Sequence, residues 1–285
     1  MKKFVKIGNL NIAYFERHQN SDITILFIHG NSFSSDYFLH QLESDLLKDY
    51  RLIAVDLPGH GDSSRARELS TYTLPGYADV INRFVHVLDL KEIILAGHSL
   101  GGNVAMEVIA RFPTPDFSGM FIWGTPPFPK PPVLEAVYLM NPDLELFFKG
   151  EHDENDRGKI LNMCLNKEGL DDWSFRSILA KSDPRARDAI FASVGELNFS
   201  DEVHAVEKAS FETAILNCLD DKIVSSRYMR ELELKNLWTG RTLPIVGGHT
   251  AHYEEPQKFN ETLLNYAQML RSALVSNPAP GLEKE

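Results

Sequence analysis

A serine stands between two glycines in the stretch LAGHSLGGN, residues 95–103, directly after the apolar pair Ile93-Ile94. A tight turn from a strand into a helix needs such small neighbours when it presents a nucleophilic serine. Average glycine and serine usage gives G-x-S-x-G by chance in about one chain in ten of this length, so the pattern needs support elsewhere. A serine hydroxyl is barely nucleophilic at neutral pH, and Ser99 therefore requires a base and a group that orients the base.

Two adjacent aspartates, Asp220 and Asp221, follow the apolar run AILNCL. In folds that carry G-x-S-x-G at a strand end, the acid follows the serine along the chain and precedes the histidine. Both aspartates are candidates for this acid, and the alternative for either is a solvated turn residue.

Two histidines follow in VGGHTAHYEEP, His249 and His252. The 28 residues from Asp221 to His249 (249 − 221) leave room for one helix and one strand, and the flanking glycines allow the loop to carry an imidazole toward the serine. A His-x-x-His spacing can also bind a metal ion, but no third cluster of ligands lies nearby. The sequence predicts neither a metal site nor a cofactor.

Two backbone N–H groups must stabilise the negative charge that develops on a substrate carbonyl oxygen. One is expected from Leu100, where the dipole of the following helix helps, and the other from Asn31 in the loop HGNSFSSD. Gly30 and His98 are candidate substrate contacts beside these groups, although packing or hydrogen bonding is the favoured role for His98. In the stretch 56–64, DLPGHGDSS predicts a rigid turn that supports the loop, and no phosphate-binding motif is present.

Apolar runs and helical patterns alternate around these residues. The runs 23–30, 51–59, 92–99, 119–124, 213–219 and 242–248 predict strands, and 4–17 predicts a hairpin. Helices are expected over 36–50, 74–90, 102–112, 225–234 and 256–274. Short connections between alternating strands and helices predict a mostly parallel sheet flanked by helices.

The alternation stops over residues 128–206, where only helix-like patches occur. We expect a core domain over 1–127 and 207–285, and a helical cap inserted at 128–206, because so long a segment is too long for a loop. Aromatic residues that could line an apolar slot are Tyr138, Phe147, Phe148, Trp173 and Phe191, with Trp123 at the strand end below. Such aromatics are more often core residues than substrate contacts.

The composition and net charge of the chain exclude some classes of binding partner. The chain has 285 residues, 43% of them hydrophobic, and a formal net charge of −11. That charge argues against nucleic acid and against anionic membranes, which select basic patches. There is neither an apolar run of membrane-spanning length nor an evident signal peptide, and two cysteines do not make a disulfide framework. We expect a cytoplasmic protein acting on a small molecule; its oligomeric state stays open.

These motifs resemble those of the α/β-hydrolase superfamily: HGN, DLPGHGDS, GHSLGG, an acid before Ile-Val, and GGH-x4-E-x-P. The resemblance implies the α/β-hydrolase fold and a serine nucleophile. It favours Asp221 as the acid, because Ile223-Val224 follows it in the usual register. It favours His249 as the base, because the pair Glu254/Pro256 stands five and seven residues later.

A narrower resemblance joins FIHGNSFSS (27–35), GYAD (76–79), GTPP (124–127), DPRAR (183–187) and NLWTGRT (236–242). Together they are similar to the N-acyl-homoserine lactone hydrolases of this fold, which are quorum-quenching lactonases. Those enzymes have Trp where His98 stands and Glu where Asp221 stands. The zinc-lactonase motif H-x-H-x-D-H is absent from the sequence. The expected activity is hydrolysis of an ester or lactone. The alternatives are a general carboxylesterase, an acylase for the same molecules, or a non-catalytic ligand-binding member of the fold.

Overall fold

The computed structural model describes residues 1–114, 116–166 and 172–276. Eight strands form one sheet in the order β1-β2-β4-β3-β5-β6-β7-β8. Strands β1 and β2 form the expected hairpin, and β2 pairs antiparallel with β4. The remaining neighbours in the sheet, from β4 through β3, β5, β6 and β7 to β8, pair parallel. The strands are β1 Lys3–Ile7, β2 Leu10–Arg17, β3 Thr24–Ile28, β4 Arg51–Val55, β5 Ile93–His98, β6 Phe117–Trp123, β7 Thr213–Cys218 and β8 Leu243–Ile245.

Helices cover both faces of this sheet and fill the long connection from β6 to β7. They are α1 Leu39–Leu42, α2 Leu74–Val87, α3 Leu100–Arg111, α4 Leu134–Val137, α5 Glu154–Cys164, α6 Asp172–Ala180, α7 Pro184–Gly195, α8 Glu202–Lys208, α9 Ser226–Glu231, α10 Ala251–Glu254 and α11 Pro256–Ser276. The predicted mostly parallel sheet with flanking helices is confirmed.

The buried strands explain why the sequence reads as continuous apolar runs. Every residue of β3 and of β5 is buried, because helices cover the sheet on both sides. The consequence for function lies at one edge: the carboxyl ends of β3, β5, β7 and β8 meet there, and each is followed by a predicted site residue.

The helix predicted over 36–50 is wrong as one element. Two 3₁₀ turns, Ser35–Phe38 and Asp45–Leu47, flank the short helix α1. Between them Ser44 adopts an extended backbone (φ −78°, ψ 125°), which ends the helical hydrogen bonding. The helical spacing Phe38, Leu42, Leu46 reported burial only in part: Phe38 and Leu42 lie in the core, whereas Leu46 is partly buried and its neighbour Leu47 is the core residue.

The long insertion contributes α4 to α8 and the 3₁₀ helix Pro142–Phe147. Its last helix, α8, packs on the core helix α3, where Asn103 Nδ2 donates to both carboxylate oxygens of Glu202 at 3.0 and 2.9 Å. The boundaries 128 and 206 stay predictions, although this packing associates α8 with the core.

Two further expectations concern the whole chain. Cys164 and Cys218 are free and buried, in keeping with the expectation that the two cysteines form no disulfide framework. Within the described residues, none of the helices combines the length and apolarity that a membrane span requires.

Candidate active site

Ser99 occupies a strained turn between β5 and α3. Its backbone has φ 51° and ψ −122°, values that a residue with a side chain rarely adopts. A Cβ on Gly101 would lie 2.1 Å from the carbonyl oxygen of Ile28, and one on Gly97 would lie 2.6 Å from the carbonyl oxygen of Gly101. Gly101 is therefore required for the turn to pack against β3, and Gly97 for the end of β5 to pack against the first residues of α3. The partly exposed serine is held at the tip of this turn.

Asp221 follows β7 and is almost fully buried. Its Oδ2 lies 2.9 Å from Nδ1 of His249. Its Oδ1 accepts the backbone N–H groups of Ile223 at 2.8 Å and Val224 at 3.1 Å. The carboxylate is held on one side by the backbone and aimed at the imidazole on the other, as expected for a group that orients a base.

Asp220 has a different environment. It is exposed, and its Oδ2 accepts the N–H of Gly247 at 3.2 Å. Its carbonyl accepts the side-chain amide of Asn166 at 2.5 Å. Asp220 thus stabilises the loop that carries His249, whereas Asp221 binds the imidazole of His249 itself.

The two candidate histidines point into different surroundings. The ring of His249 borders a cavity that Ser99 also borders. His252 is fully buried among Tyr37, Trp123 and Phe259, and its Nδ1 accepts the indole N–H of Trp123 at 3.0 Å. Burial holds the pKa of His252 well below its usual value. His252 is a neutral core residue, so the geometry supports His249 as the base.

The two N–H groups expected to receive an oxyanion, those of Asn31 and Leu100, are left unpaired by the backbone around them in the described structure. Gly30 N–H donates to the hydroxyl of Tyr37 at 2.7 Å, and Ser32 N–H donates to Nε2 of His60 at 3.3 Å. Within the described residues, the N–H groups of Asn31 and Leu100 have no protein acceptor in the hydrogen-bond network. Both residues border the same cavity as Ser99, so the arrangement can receive an oxyanion.

Buried histidines brace the loop that carries Asn31. His29 Nδ1 donates to the carbonyl of Gly30 at 2.8 Å, and His29 Nε2 accepts the N–H of Leu57 at 2.9 Å. Burial lowers the pKa of His29 to about 4 and that of His60 to about 3. Neutral imidazoles therefore connect this loop to the turn that follows β4, as the stretch 56–64 predicted.

His98 lies on the opposite side of the turn from the cavity. Its Nδ1 is 2.8 Å from the hydroxyl of Tyr37, and its Nε2 is 2.8 Å from the carbonyl oxygen of His249. Burial and the neighbouring imidazoles hold the pKa of His98 well below its usual value. The prediction that His98 serves packing or hydrogen bonding agrees with this position.

A cavity of about 430 Å³ opens above Ser99 and His249. This volume is within the range of small-molecule sites, about 300–1,000 Å³. The predicted aromatics Tyr138, Phe147, Phe148 and Phe191 line it. Its other walls come mostly from apolar residues of the insertion and of the core: Leu74, Phe128, Pro132, Leu134, Leu144, Ile190, Val194, Leu197 and Ile223.

Three of the candidate substrate contacts are core residues in the structure. Gly30, His98 and Trp123 are buried and do not border this cavity. Trp123 ends β6 beneath the site, where it packs on Phe38 and Phe259. The side chain of Trp173, on α6, lies outside the described part of the structure. Apolar character alone could not separate a wall residue from a core residue one strand end away.

Other residues of the site were missed. Thr125 Oγ1 donates to the carbonyl of Ser99 at 2.8 Å, Tyr37 bonds His98, and Asn103 borders the cavity. Arg187 is buried and donates to Ser32 Oγ at 3.1 Å. The one available signal was the place of Thr125, Asn103 and Arg187 in strings already singled out, GTPP, LAGHSLGGN and DPRAR, which gave no role for the individual side chain. Tyr37 lies one residue beyond the string HGNSFSSD.

Among the described residues, Ser99 Oγ has no hydrogen bond to His249. Such bonds are often long in ligand-free enzymes and shorten when substrate binds. Within the same part of the chain, no group of three or more His, Cys, Asp or Glu residues is arranged to hold a metal ion. A strained serine, a His–Asp pair and two N–H donors around one apolar cavity can perform acyl transfer.

Comparison with known proteins agrees with this chemistry. The model of the alpha/beta hydrolase family matches residues 25–262. The AB hydrolase superfamily protein YisY of Bacillus subtilis is 27% identical over 254 residues, which are 85% of this chain and 91% of that protein.

Solved structures are similar over the whole chain. The N-acyl homoserine lactonase AidH, in complex with N-butanoyl homoserine, is 29% identical with a TM-score of 0.88, covering 100% of this chain and 99% of that one. A thermophilic esterase from Thermogutta terrifontis superposes with a TM-score of 0.73 at 16% identity, covering 95% of this chain and 99% of that one. At that identity the likeness shows the fold alone.

Proposed function

The chain belongs to the alpha/beta hydrolase family and is a hydrolase, and from that premise we propose that Ser99 attacks carboxylic esters and lactones. The observation that carries the proposal is the buried pair His249 Nδ1–Asp221 Oδ2 at 2.9 Å, beside a cavity that Ser99 borders from its strained turn. Asp221 accepts from Nδ1, so Nε2 of His249 is the basic nitrogen.

The proposed reaction has two halves. His249 takes the proton of Ser99 as Oγ attacks the carbonyl carbon, and the N–H groups of Asn31 and Leu100 stabilise the oxyanion. The proton then passes to the leaving alkoxide and an acyl-serine forms. A water molecule attacks this ester with His249 as base, which releases the acid and restores the serine. A lactone with one water gives one hydroxy acid.

An N-acyl-homoserine lactone is the proposed substrate. Similarity to the lactonase AidH extends over the full chain at 29% identity, and the cavity walls suit an apolar acyl chain. We propose a cap at residues 128–206 as the source of most of these walls. A small neutral substrate also fits a chain with a net charge of −11. We further propose that the enzyme is cytoplasmic and acts on this diffusible molecule there.

A panel of p-nitrophenyl esters and acyl-homoserine lactones of varied chain length tests this function. Ring opening adds the mass of one water and leaves the acyl chain attached, whereas an acylase releases free homoserine lactone. Hydrolysis of esters without lactones would indicate a general carboxylesterase.

The matched variants are Ser99→Ala and Ser35→Ala. Ser35 is a buried serine whose hydroxyl lacks a hydrogen-bond partner within the described structure. We expect Ser99→Ala to abolish turnover and Ser35→Ala to retain it. Full activity in Ser99→Ala would overturn the proposed function.

A further inference from the structure

His98 lies between two loops, and the proposed reaction requires that the distance between these loops stays fixed. On one side is the loop with Asn31, whose preceding residue Gly30 donates its N–H to the hydroxyl of Tyr37 at 2.7 Å. On the other side is His249, whose carbonyl oxygen lies 2.8 Å from His98 Nε2. The Tyr37 hydroxyl, 2.8 Å from His98 Nδ1, completes the connection.

The direction of each hydrogen bond follows from its ends. A carbonyl oxygen accepts only, so Nε2 of His98 must carry a proton and donate to His249. Burial keeps this imidazole neutral, and its Nδ1 is then an acceptor that takes the proton of Tyr37. The Tyr37 oxygen in turn accepts from Gly30. The chain therefore runs Gly30 N–H to Tyr37 O–H to His98 Nδ1, and His98 Nε2–H to the carbonyl of His249.

The packing around this chain leaves little freedom. His98 and Tyr37 are both fully or almost fully buried. A Cβ on Gly30 would lie 2.9 Å from Nδ1 of His98, so the glycine permits the close approach of the loop. The aromatic rings of Phe33, Trp123 and His252 pack around the His98 imidazole.

We propose that His98 is a positioning residue that, through Tyr37, fixes the oxyanion-binding N–H of Asn31 relative to the imidazole of His249. This inference rests on the proposed function and extends it to a residue outside the cavity. A neutral imidazole suits the role because it offers one donor and one acceptor on opposite sides of a rigid ring. The effect is expected mainly in the transition state, since small misplacement of catalytic groups slows chemistry more than binding.

Tyr37→Phe breaks the chain with the loss of one oxygen atom. Tyr77→Phe is its matched control, because Tyr77 is equally buried and its hydroxyl has no hydrogen-bond partner within the described structure. We expect Tyr37→Phe to lower kcat at least about tenfold with KM changed less than about twofold, below the roughly 10²–10³-fold effect of deleting an oxyanion-hole donor. Tyr77→Phe should stay near wild type.

A second readout separates positioning from general loosening. An alkyl boronic acid forms a tetrahedral adduct with the serine and uses the oxyanion site, whereas the matching alkyl carboxamide binds as a ground-state ligand. Tyr37→Phe should weaken boronate inhibition by about the same factor as kcat, and leave carboxamide inhibition within about twofold. Equal weakening of both inhibitors would overturn the inference in favour of a structural role.

Variants of His98 test the two ends separately. His98→Asn keeps an oxygen near the Nδ1 position, His98→Gln keeps a donor near the Nε2 position, and His98→Leu keeps neither. We expect the leucine variant to lose the most turnover. If the wild type is active and Tyr37→Phe is equally active, this inference is refuted and the proposed function stands. If the wild type hydrolyses none of the esters and lactones, the proposed function is refuted.

Discussion

Neighbouring residues of the same type have opposite surroundings in this site. Asp221 is buried against His249 while Asp220 is exposed beside Gly247. His249 borders the cavity while His252 lies in an aromatic cluster. The register of the chain after each strand decides which aspartate contacts the imidazole of His249 and which histidine borders the cavity.

The aspartates give the first prediction. Asp221→Asn should lower kcat by several orders of magnitude, on the order of 10⁴ where the triad acid becomes an amide, because His249 is then left in the wrong tautomer. Asp220→Asn should change kcat less than about tenfold. Steady-state kinetics of the two variants on one ester decide the assignment, and a larger loss in the Asp220 variant would reverse it.

The histidines give the second prediction, with phenylalanine placed at each position to conserve volume. His249→Phe should abolish turnover, since no other imidazole borders the cavity among the described residues. His252→Phe should remain active but leave the indole N–H of Trp123 unpaired, lowering the free energy of unfolding by about 1–3 kcal/mol. Kinetics and urea unfolding check both, and an inactive, fully stable His252 variant would contradict the account.

Residue types and spacing predicted Ser99, and they narrowed the acid to Asp220 or Asp221 and the base to His249 or His252. The resemblance to α/β hydrolases then favoured Asp221 and His249. The supporting residues could not be predicted in this way. Tyr37 bonds a residue 61 positions away, and His98 bonds one 151 positions away. A sequence pattern does not show pairs at such separations.

At the scale of elements, the insertion is attached to the core beside the site. Before α7, Asp183 N–H donates to the carbonyl of Gly59 at 2.7 Å, and the hydroxyl of Tyr72 donates to Asp183 Oδ2 at 2.7 Å. Asn31 Nδ2 donates to the carbonyl of Phe147 at 2.7 Å. The proposed cap is therefore joined by hydrogen bonds both to the turn after β4 and to the loop that carries Asn31.

Arg187 carries the element-scale prediction. Its buried guanidinium donates to Ser32, to Ser182 at 2.6 Å and to the carbonyls of Lys149 and Gly150. Lysine cannot reproduce this fork. Arg187→Lys should lower the free energy of unfolding by at least about 1.5–3 kcal/mol, the worth of a hydrogen bond to a charged group, and raise KM.

The control for Arg187→Lys is Arg227→Lys. The exposed side chain of Arg227 pairs only with Glu231 in the described structure. Exposed pairs of this kind contribute about 0–1 kcal/mol. Urea unfolding and steady-state kinetics of both variants provide the comparison. Equal stability of the two variants would show that Arg187 does not hold the cap.

Element types were predicted well where burial made the pattern simple, as in β3 and β5. The stretch 36–50 shows the limit: its apolar spacing predicted a single helix, but the backbone at Ser44 is extended. Helical spacing reports only in part which side chains are buried, and a broken series of turns can bury most of the same residues.

At the scale of the whole molecule, a buried carboxyl joins α8 to the core. Glu202 is fully buried, and it accepts from Asn103 and from the N–H of Phe128 at 2.8 Å. Burial raises the pKa of Glu202 to about 8, against the effect of these hydrogen bonds. The folded chain therefore prefers the neutral acid where the unfolded chain is ionised.

This pKa predicts a pH dependence of stability. The contribution of the neutral acid is complete below the unfolded pKa of about 4.5 and is lost as the pH rises to about 8. Over that window Glu202 should lower the free energy of unfolding by up to about 1.4 kcal/mol per pH unit. Glu202→Gln should remove this slope, and the exposed Glu261→Gln should keep it. Urea unfolding across the window measures the difference, and parallel slopes in all three proteins would contradict the prediction.

The overall architecture followed from alternation of apolar runs and helices, and the family model confirms it over most of the chain. The shape of the cavity did not follow from the sequence, because it depends on how α7 and the 3₁₀ helix Pro142–Phe147 lie over the sheet. Trp123 and Phe147 are both aromatic residues that the sequence offered as candidate substrate contacts, yet of the two only Phe147 borders the cavity.

The central claim is that Ser99 is a nucleophile activated by His249. Labelling with a fluorophosphonate, followed by peptide mapping by mass spectrometry, tests it most directly, since the reagent reacts only with an activated hydroxyl. The account predicts one adduct, on Ser99, lost in His249→Phe and retained in His252→Phe. An adduct on another residue, or equal labelling of Ser99 in both histidine variants, would contradict it.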